Sequence, residues 1–279
     1  MRIRSLGSVM GRRLAAAGLF TGLLLNLPPA CAAPPLPEDV RVCDDANEWP
    51  PFSYYERIGG QPGKRLQGFS VELLQTIFQR HQIRHTIELL PWKRCLQEVR
   101  EGQRFQMLMS ATVNAERRRD YLLSEPYYTT LAHYFYLKSR FPQGLQLSSS
   151  AELGRYVLGG IRGYAYPRVP AELRERMQRT GSYPALFGML RLGRVDLLVE
   201  GLEPMLGLAK TGVLQLQDDP DLAWAPLPGA TPEPFYMLFT AQQPAGTALQ
   251  ALVNDELRQM QHSGELQKLL ARHLPAATR

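Results

Sequence analysis

The sequence predicts an α/β protein of two units, and three observations carry that reading. Strand-like and helix-like patterns alternate from residue 40 to residue 110, and a second alternating set runs from residue 156 to residue 199. An apolar strand, Phe235 to Thr240, then follows the proline-rich stretch Pro226 to Pro234, which reads as the chain returning to its first unit.

In chain order, Val40 to Cys43 is a short apolar strand. Ser70 to Gln82 places Val71, Leu74, Ile77 and Phe78 on one face at helical spacing, with Ser70 as the expected cap. Ile87 to Leu90 is a strand, Trp92 to Arg100 a helix, and Met107 to Met109 a buried strand. The run HYFYLK, His133 to Lys138, is an extended aromatic strand leading into Phe141-Pro142-Gln143-Gly144, and is taken as the first crossing between units. The second set opens with the strand Tyr156 to Ile161, continues through helices near Pro170 to Arg179 and Pro184 to Leu192, and includes the strand Val195 to Val199. At the end, Leu249, Leu252, Val253, Leu257 and Met260 keep the helical period, Ser263-Gly264 breaks it, and Glu265 to His273 resumes it. No internal repeat, coiled coil or low-complexity segment interrupts this order.

The first residues read as a secretory signal. Arg2, Arg4, Arg12 and Arg13 precede an apolar run from Leu14 to Leu27, a Pro-Pro break and Ala30-Cys31-Ala32, so cleavage is expected after Ala32. The run is too short and too broken for a membrane span. Lipidation at Cys31 is rejected because Pro28 and Pro29 precede Ala30 where a lipobox needs other residues, and the residues after Arg12-Arg13 lack the twin-arginine pattern. Removing residues 1–32 takes away four arginines and no acids, so the formal charge of +6 becomes 6 − 4 = +2. The apparent basicity belongs mostly to the signal, and no basic helix interleaved with aromatics or zinc-finger spacing points to nucleic acid.

Cys43 and Cys95 remain after processing. In an oxidising compartment an isolated pair is expected to be bridged, and both positions fall on the carboxyl-end side of an α/β sheet. Two separate buried thiols are the alternative. Two cysteines and five scattered histidines, His81, His85, His133, His262 and His273, give no metal site, and no cofactor is expected.

The stretch FQMLMSATVNAERRRDYLLSEPYY, residues 105 to 128, gathers polar groups where an apolar strand ends. Ser110 and Thr112 follow the strand, and Asn114 can cap a helical turn carrying Glu116 and Arg117. Hydroxyls, free backbone donors and a guanidinium suit a carboxylate or phosphate. Arg117, Arg118 and Arg119 alone would read as a solvated basic run. Taken together, GFSVEL (Gly68 to Leu73), SATVNAER (Ser110 to Arg117), SEPYY (Ser124 to Tyr128) and GRVDLLV (Gly193 to Val199) resemble, in order and spacing, the extracytoplasmic solute-binding proteins of polar amino-acid ABC transporters.

That resemblance implies a two-lobed, periplasmic-binding-protein-like (type II) fold with a hinge of two crossing strands. It places a discontinuous lobe at residues 33–137 plus 236–279 and an inserted lobe at 138–235. It also assigns Arg117 to a ligand carboxylate, which a bidentate guanidinium suits better than a lysine would, with Ser110 and Thr112 beside it. Trp49 stands where the family sets an aromatic against the ligand, Asp44 or Asp45 where it often carries an acid, and Tyr128 is expected along the cleft. The second lobe departs from the pattern. The family's ammonium-pairing Asp falls at Gly201, with Glu200 one residue early and turned away by strand alternation unless a bulge intervenes. The family's Gly-Thr appears as Gly163-Tyr164, a phenol in place of a small hydroxyl.

The resemblance implies a monomeric, non-enzymatic periplasmic receptor that delivers a small carboxylate-bearing solute, an amino acid or a relative of one, to an ABC transporter permease. Two other classes are open to the same fold: a cyclohexadienyl-dehydratase-like enzyme using Glu200 as its acid or base, and a soluble sensory subunit.

Overall fold

The computed structural model describes residues 36–274, so the secretory-signal reading of residues 1–32 lies outside the described residues. From its amino end the chain forms β1 (Asp39–Asp45), the hairpin β2 (Tyr54–Ile58) and β3 (Gln61–Gln67), α1 (Phe69–Arg80), β4 (Arg84–Leu90), α2 (Trp92–Glu101) and β5 (Met107–Ala111). There follow α3 (Ala115–Asp120), β6 (Tyr121–Leu123), β7 (Tyr128–Thr130), β8 (Ala132–Leu137), a 3-10 turn (Ser150–Arg155) and β9 (Leu158–Ile161). The remainder is α4 (Ala171–Arg174), β10 (Gln178–Thr180), α5 (Tyr183–Arg191), β11 (Leu197–Gly201), α6 (Leu202–Lys210), β12 (Leu222–Pro226), β13 (Glu233–Thr240), α7 (Pro244–His262) and α8 (Glu265–His273).

Two main sheets result. The first has the order β4-β1-β5-β13-β6, with β7 also paired to β13, and the second the order β10-β9-β11-β8-β12. In each, the strands linked through helices run parallel (β4, β1 and β5; β10, β9 and β11), while the crossing strands β13 and β8 join antiparallel. Parallel strands bring their carboxyl ends to one edge, where an open α/β sheet binds ligands. The strand Ala132–Leu137 pairs with β11 and β12, so the chain leaves the first sheet between Thr130 and Ala132, ahead of the 137/138 boundary read from the sequence. Its aromatic residues pack inside the second sheet's cores instead of bridging the two sheets.

The helical faces follow the apolar periodicity: Val71, Leu74, Ile77 and Phe78 of α1 are all buried. Three local expectations are corrected. Ser70 is not the cap of α1; that position is Gly68, at φ 121°, and an added Cβ there would strike the Phe52 carbonyl. The Ser70 hydroxyl instead pairs with the Tyr127 hydroxyl at 2.9 Å. The helix expected near Pro170 to Arg179 is only one turn long, because Gln178–Thr180 extends as β10 along β9. The β2–β3 hairpin, turning at Gly59-Gly60, lies where no element was expected.

Cys43 and Cys95 form a disulfide, with their Cα atoms 5.8 Å apart. It ties the end of β1 to α2 and closes a loop with a sequence separation of 52 residues. Both cysteines are fully buried among Val99, Phe105, Leu108 and Leu238. By loop-closure entropy, replacing both with Ala should lower stability by about 2 to 4 kcal/mol, measured by denaturant unfolding of the oxidised wild type against the variant. An unchanged midpoint would show that the bridge does not restrain the chain.

Candidate ligand-binding site

A cleft of about 90 Å³, measured over the positions a water centre can take, opens at the strand ends. That is several times the ~10–15 Å³ that admits a single water, room for a small guest. The first sheet supplies Asp44 and Asp45 from the end of β1, Trp49, Trp92 after β4, Ser110 from the end of β5, and Thr112 and Arg117 after it. The second supplies Tyr164 and Tyr166 after β9, and Val199, Glu200 and Gly201 from the end of β11.

Arg117 is set by its own segment. The Asn114 side chain accepts from the Arg117 backbone N–H at 2.8 Å, capping α3 and turning the arginine back toward the end of β5. Ser110, just ahead, sits at φ 58°, a left-handed conformation that costs a non-glycine residue energy and that gathers at binding sites. Arg117 as a whole is only 4% exposed. It donates to the Thr112 carbonyl at 2.7 Å and, across the cleft, to the Gly163 carbonyl at 3.1 Å, with the Thr112 hydroxyl at 3.3 Å and the Trp92 ring 5.3 Å away. Every one of those partners is neutral, and among the described residues no carboxylate pairs with it. Burial lowers its pKa to about 10, which leaves it charged at neutral pH. A buried cation without an opposite charge is costly, and an anion entering the cleft removes that cost.

Three acids face the same space, and all are buried. Asp44 accepts from the Ser53 hydroxyl at 2.6 Å and the Asp45 N–H at 2.9 Å, and burial raises its pKa to about 7. Asp45 accepts from the Asn47 N–H at 2.9 Å and from the Tyr164 hydroxyl at 2.7 Å; burial raises it too. Glu200 accepts from the Tyr166 hydroxyl at 2.7 Å and the Tyr183 hydroxyl at 3.3 Å, and burial raises it to about 7. A cation placed beside Glu200 or Asp44 would favour its ionised form.

Glu200 reaches the cleft without the bulge that alternation seemed to require. The register of β11 on β8 runs unbroken through Leu198, Val199, Glu200 and Gly201. Glu200 keeps the side of Leu198, toward Tyr183, yet it lies where the strand ends and the cleft begins. Gly201, where the resemblance expects an Asp, has no room for a side chain: a Cβ would lie 2.9 Å from the Thr130 hydroxyl.

Of the residues read from the sequence, Arg117, Ser110, Thr112, Trp49, Asp44, Tyr164 and Glu200 line the cleft together. Gly163 and Tyr128 stand behind it. Gly163 gives its carbonyl to Arg117. Tyr128 accepts from the Trp49 ring N–H at 3.1 Å and stacks on Phe52 and Phe235, which fixes the tryptophan. Trp92 was missed, although it follows the carboxyl end of β4 just as Asp44 and Asp45 stand at the carboxyl end of β1. Asp45, read as one of two interchangeable acids, makes the contact to the opposite sheet, and Tyr166 and Phe235 complete the wall.

A raised acid makes the folded protein bind its proton more tightly than the unfolded chain does, so its contribution to stability falls as pH rises from about 4.5 to about 7. Replacing Glu200 with Gln should therefore stabilise the ligand-free protein relative to wild type at pH 8, by on the order of 3 kcal/mol more than at pH 4. Urea unfolding of both proteins at the two pH values tests this, and a difference that does not change with pH would show that Glu200 titrates normally.

A family model described as bacterial extracellular solute-binding proteins, family 3, matches residues 40–276. Among solved structures, an amino-acid ABC transporter substrate-binding protein, AbpA, from Streptococcus pneumoniae, bound to L-arginine, is 19% identical, with 85% of this chain and 94% of that one covered and a TM-score of 0.67. A histidine kinase sensor domain similar to periplasmic binding proteins is 16% identical, with 84% and 95% covered and a TM-score of 0.68. The ancestral amino acid-binding protein AncCDT-1, a precursor of cyclohexadienyl dehydratase, is 19% identical, with 85% and 96% covered and a TM-score of 0.65. At these identities the likeness establishes the two-lobed fold and nothing finer.

Proposed function

The chain belongs to the bacterial extracellular solute-binding proteins, family 3, and we propose that it works in the periplasm as a receptor that closes on a small amino acid or related carboxylate-bearing solute and passes it to an ABC transporter permease. Arg117 carries the reading: a buried guanidinium whose partners among the described residues are all neutral calls for an acid from outside the protein. The carboxylate takes Arg117, with Ser110 and Thr112 beside it, and an amino group takes Glu200 at the opposite wall.

We assign one lobe to the first sheet with its helices and the hairpin, resumed at β13, and the other to β8 through β12. A guest held by Arg117 of one and Glu200 of the other touches both, so it favours the closed arrangement by contacts that an open one lacks. Delivery fits a family whose members feed transporters, and the sensor-domain relative gives the alternative of reporting the ligand to a signalling partner. Capture of a permease or of a sensor kinase by the purified protein separates the two.

Glu200 supports a second reading as well, since a carboxyl with a pKa near 7 is a competent general acid. Turnover of prephenate or arogenate by the purified protein would move it to the dehydratases.

A thermal-shift screen against amino acids, dicarboxylates and polyamines identifies the guest. For that guest, Arg117→Ala should weaken binding by about 2 to 5 kcal/mol in calorimetry, and Arg117→Lys should recover only part of the loss, because it keeps the charge without the two-pronged geometry. Unchanged affinity in Arg117→Ala would refute the carboxylate assignment.

A further inference from the structure

Tyr164 fills space that a longer guest would need. It stands in the turn after β9, next to Gly163, whose φ of 91° strains any larger residue and which packs close to Trp92 and Lys93. Arg179 fixes that turn by donating to the Ile161 and Tyr164 carbonyls at 3.1 and 2.9 Å. From there the phenol crosses to the first sheet. Its hydroxyl donates to Asp45 at 2.7 Å, and its ring meets Trp49 edge-on at 5.8 Å and Trp92 edge-on at 6.4 Å. One side chain of the second sheet thereby satisfies a buried acid and covers two tryptophans of the first, and all four residues line the cleft.

These are the contacts that a flexible, cationic ligand tail would make: aromatic faces for its methylenes and a carboxylate for its head. We infer that Tyr164 is a specificity-determining residue that takes the place of a long ligand side chain between the sheets and limits the guest to a short one. The inference rests on reading the cleft as an amino-acid site. The guest's carboxylate lies at Arg117 and its ammonium at Glu200, in the volume that Tyr164 leaves. A long basic guest would have to displace the phenol, breaking its bond to Asp45, and specificity follows from that difference in affinity.

The test is calorimetry of the wild type, Tyr164→Ala and Tyr164→Phe against glycine, alanine, serine, lysine and arginine. The wild type should bind a short amino acid in preference to lysine and arginine. Tyr164→Ala should raise the ratio of arginine to alanine affinity at least tenfold, and adding Asp45→Asn should remove that gain. Tyr164→Phe, which keeps the ring and loses only the hydroxyl, should still exclude the long side chains; if Tyr164→Ala does not fold, Tyr164→Leu carries the same comparison. A ratio unmoved by removal of the ring, or a wild type that prefers arginine, would overturn the inference. Arg117→Ala separates the two levels: if it abolishes binding of the short guest while the Tyr164 variants leave the ratio unmoved, only the role of Tyr164 falls. If Arg117→Ala leaves affinity intact, or no probe binds any of these proteins, the amino-acid reading of the cleft falls, and the inference with it.

Discussion

A charge taken out of water needs a partner, and this cleft is organised around charges whose partners are incomplete. Arg117 is buried with two carbonyls, a hydroxyl and a tryptophan face, none of which carries a negative charge. Asp44, Asp45 and Glu200 are buried with hydroxyls and backbone N–H groups, none of which carries a positive one. The raised acids and the lowered guanidinium share one leading cause, burial, which for Glu200 outweighs the nearby charge of Arg179. A small zwitterion supplies both complementary charges at once.

The fold's contribution is to hold those groups in place through contacts of its own. Parallel strands in two sheets deliver their last residues to a common edge. The disulfide locks the residue before Asp44 to the helix that begins at Trp92. The Asn114 cap, the Ser110 backbone and the Tyr128 hydroxyl then fix the arginine, the end of β5 and Trp49 respectively. Each support is itself buried or hydrogen-bonded, so a ligand finds the geometry already made. Two contacts, Arg117 to Gly163 and Tyr164 to Asp45, run directly from one sheet to the other.

Much of this was legible in the sequence because it depends on short-range patterns. The apolar periodicity of α1, each strand-like or helix-like run of the alternation, and the hydroxyls and arginine around Asn114 are each written within about a dozen consecutive residues. Contacts between distant segments were not legible. Trp92 looked like an ordinary helix start, because its partners, Arg117 and Tyr164, are brought to it only by the sheet order and the approach of the second sheet. Alternation turned Glu200 away from the site, because it could not show that β11 ends beside the cleft and that Tyr166 and Tyr183 aim their hydroxyls at this residue. The stretch from Pro170 to Thr180 has a helix-like start, yet pairing along β9 decides its conformation, and local propensity yields to that tertiary contact.

The most direct measurement is a crystal structure of the protein with the guest found by screening. The account predicts an acid oxygen of the guest within hydrogen-bonding distance of the Arg117 guanidinium, and its cationic group facing Glu200. A guest bound elsewhere, or bound in the cleft with its acid turned away from an Arg117 that still touches only Thr112 and Gly163, would contradict it.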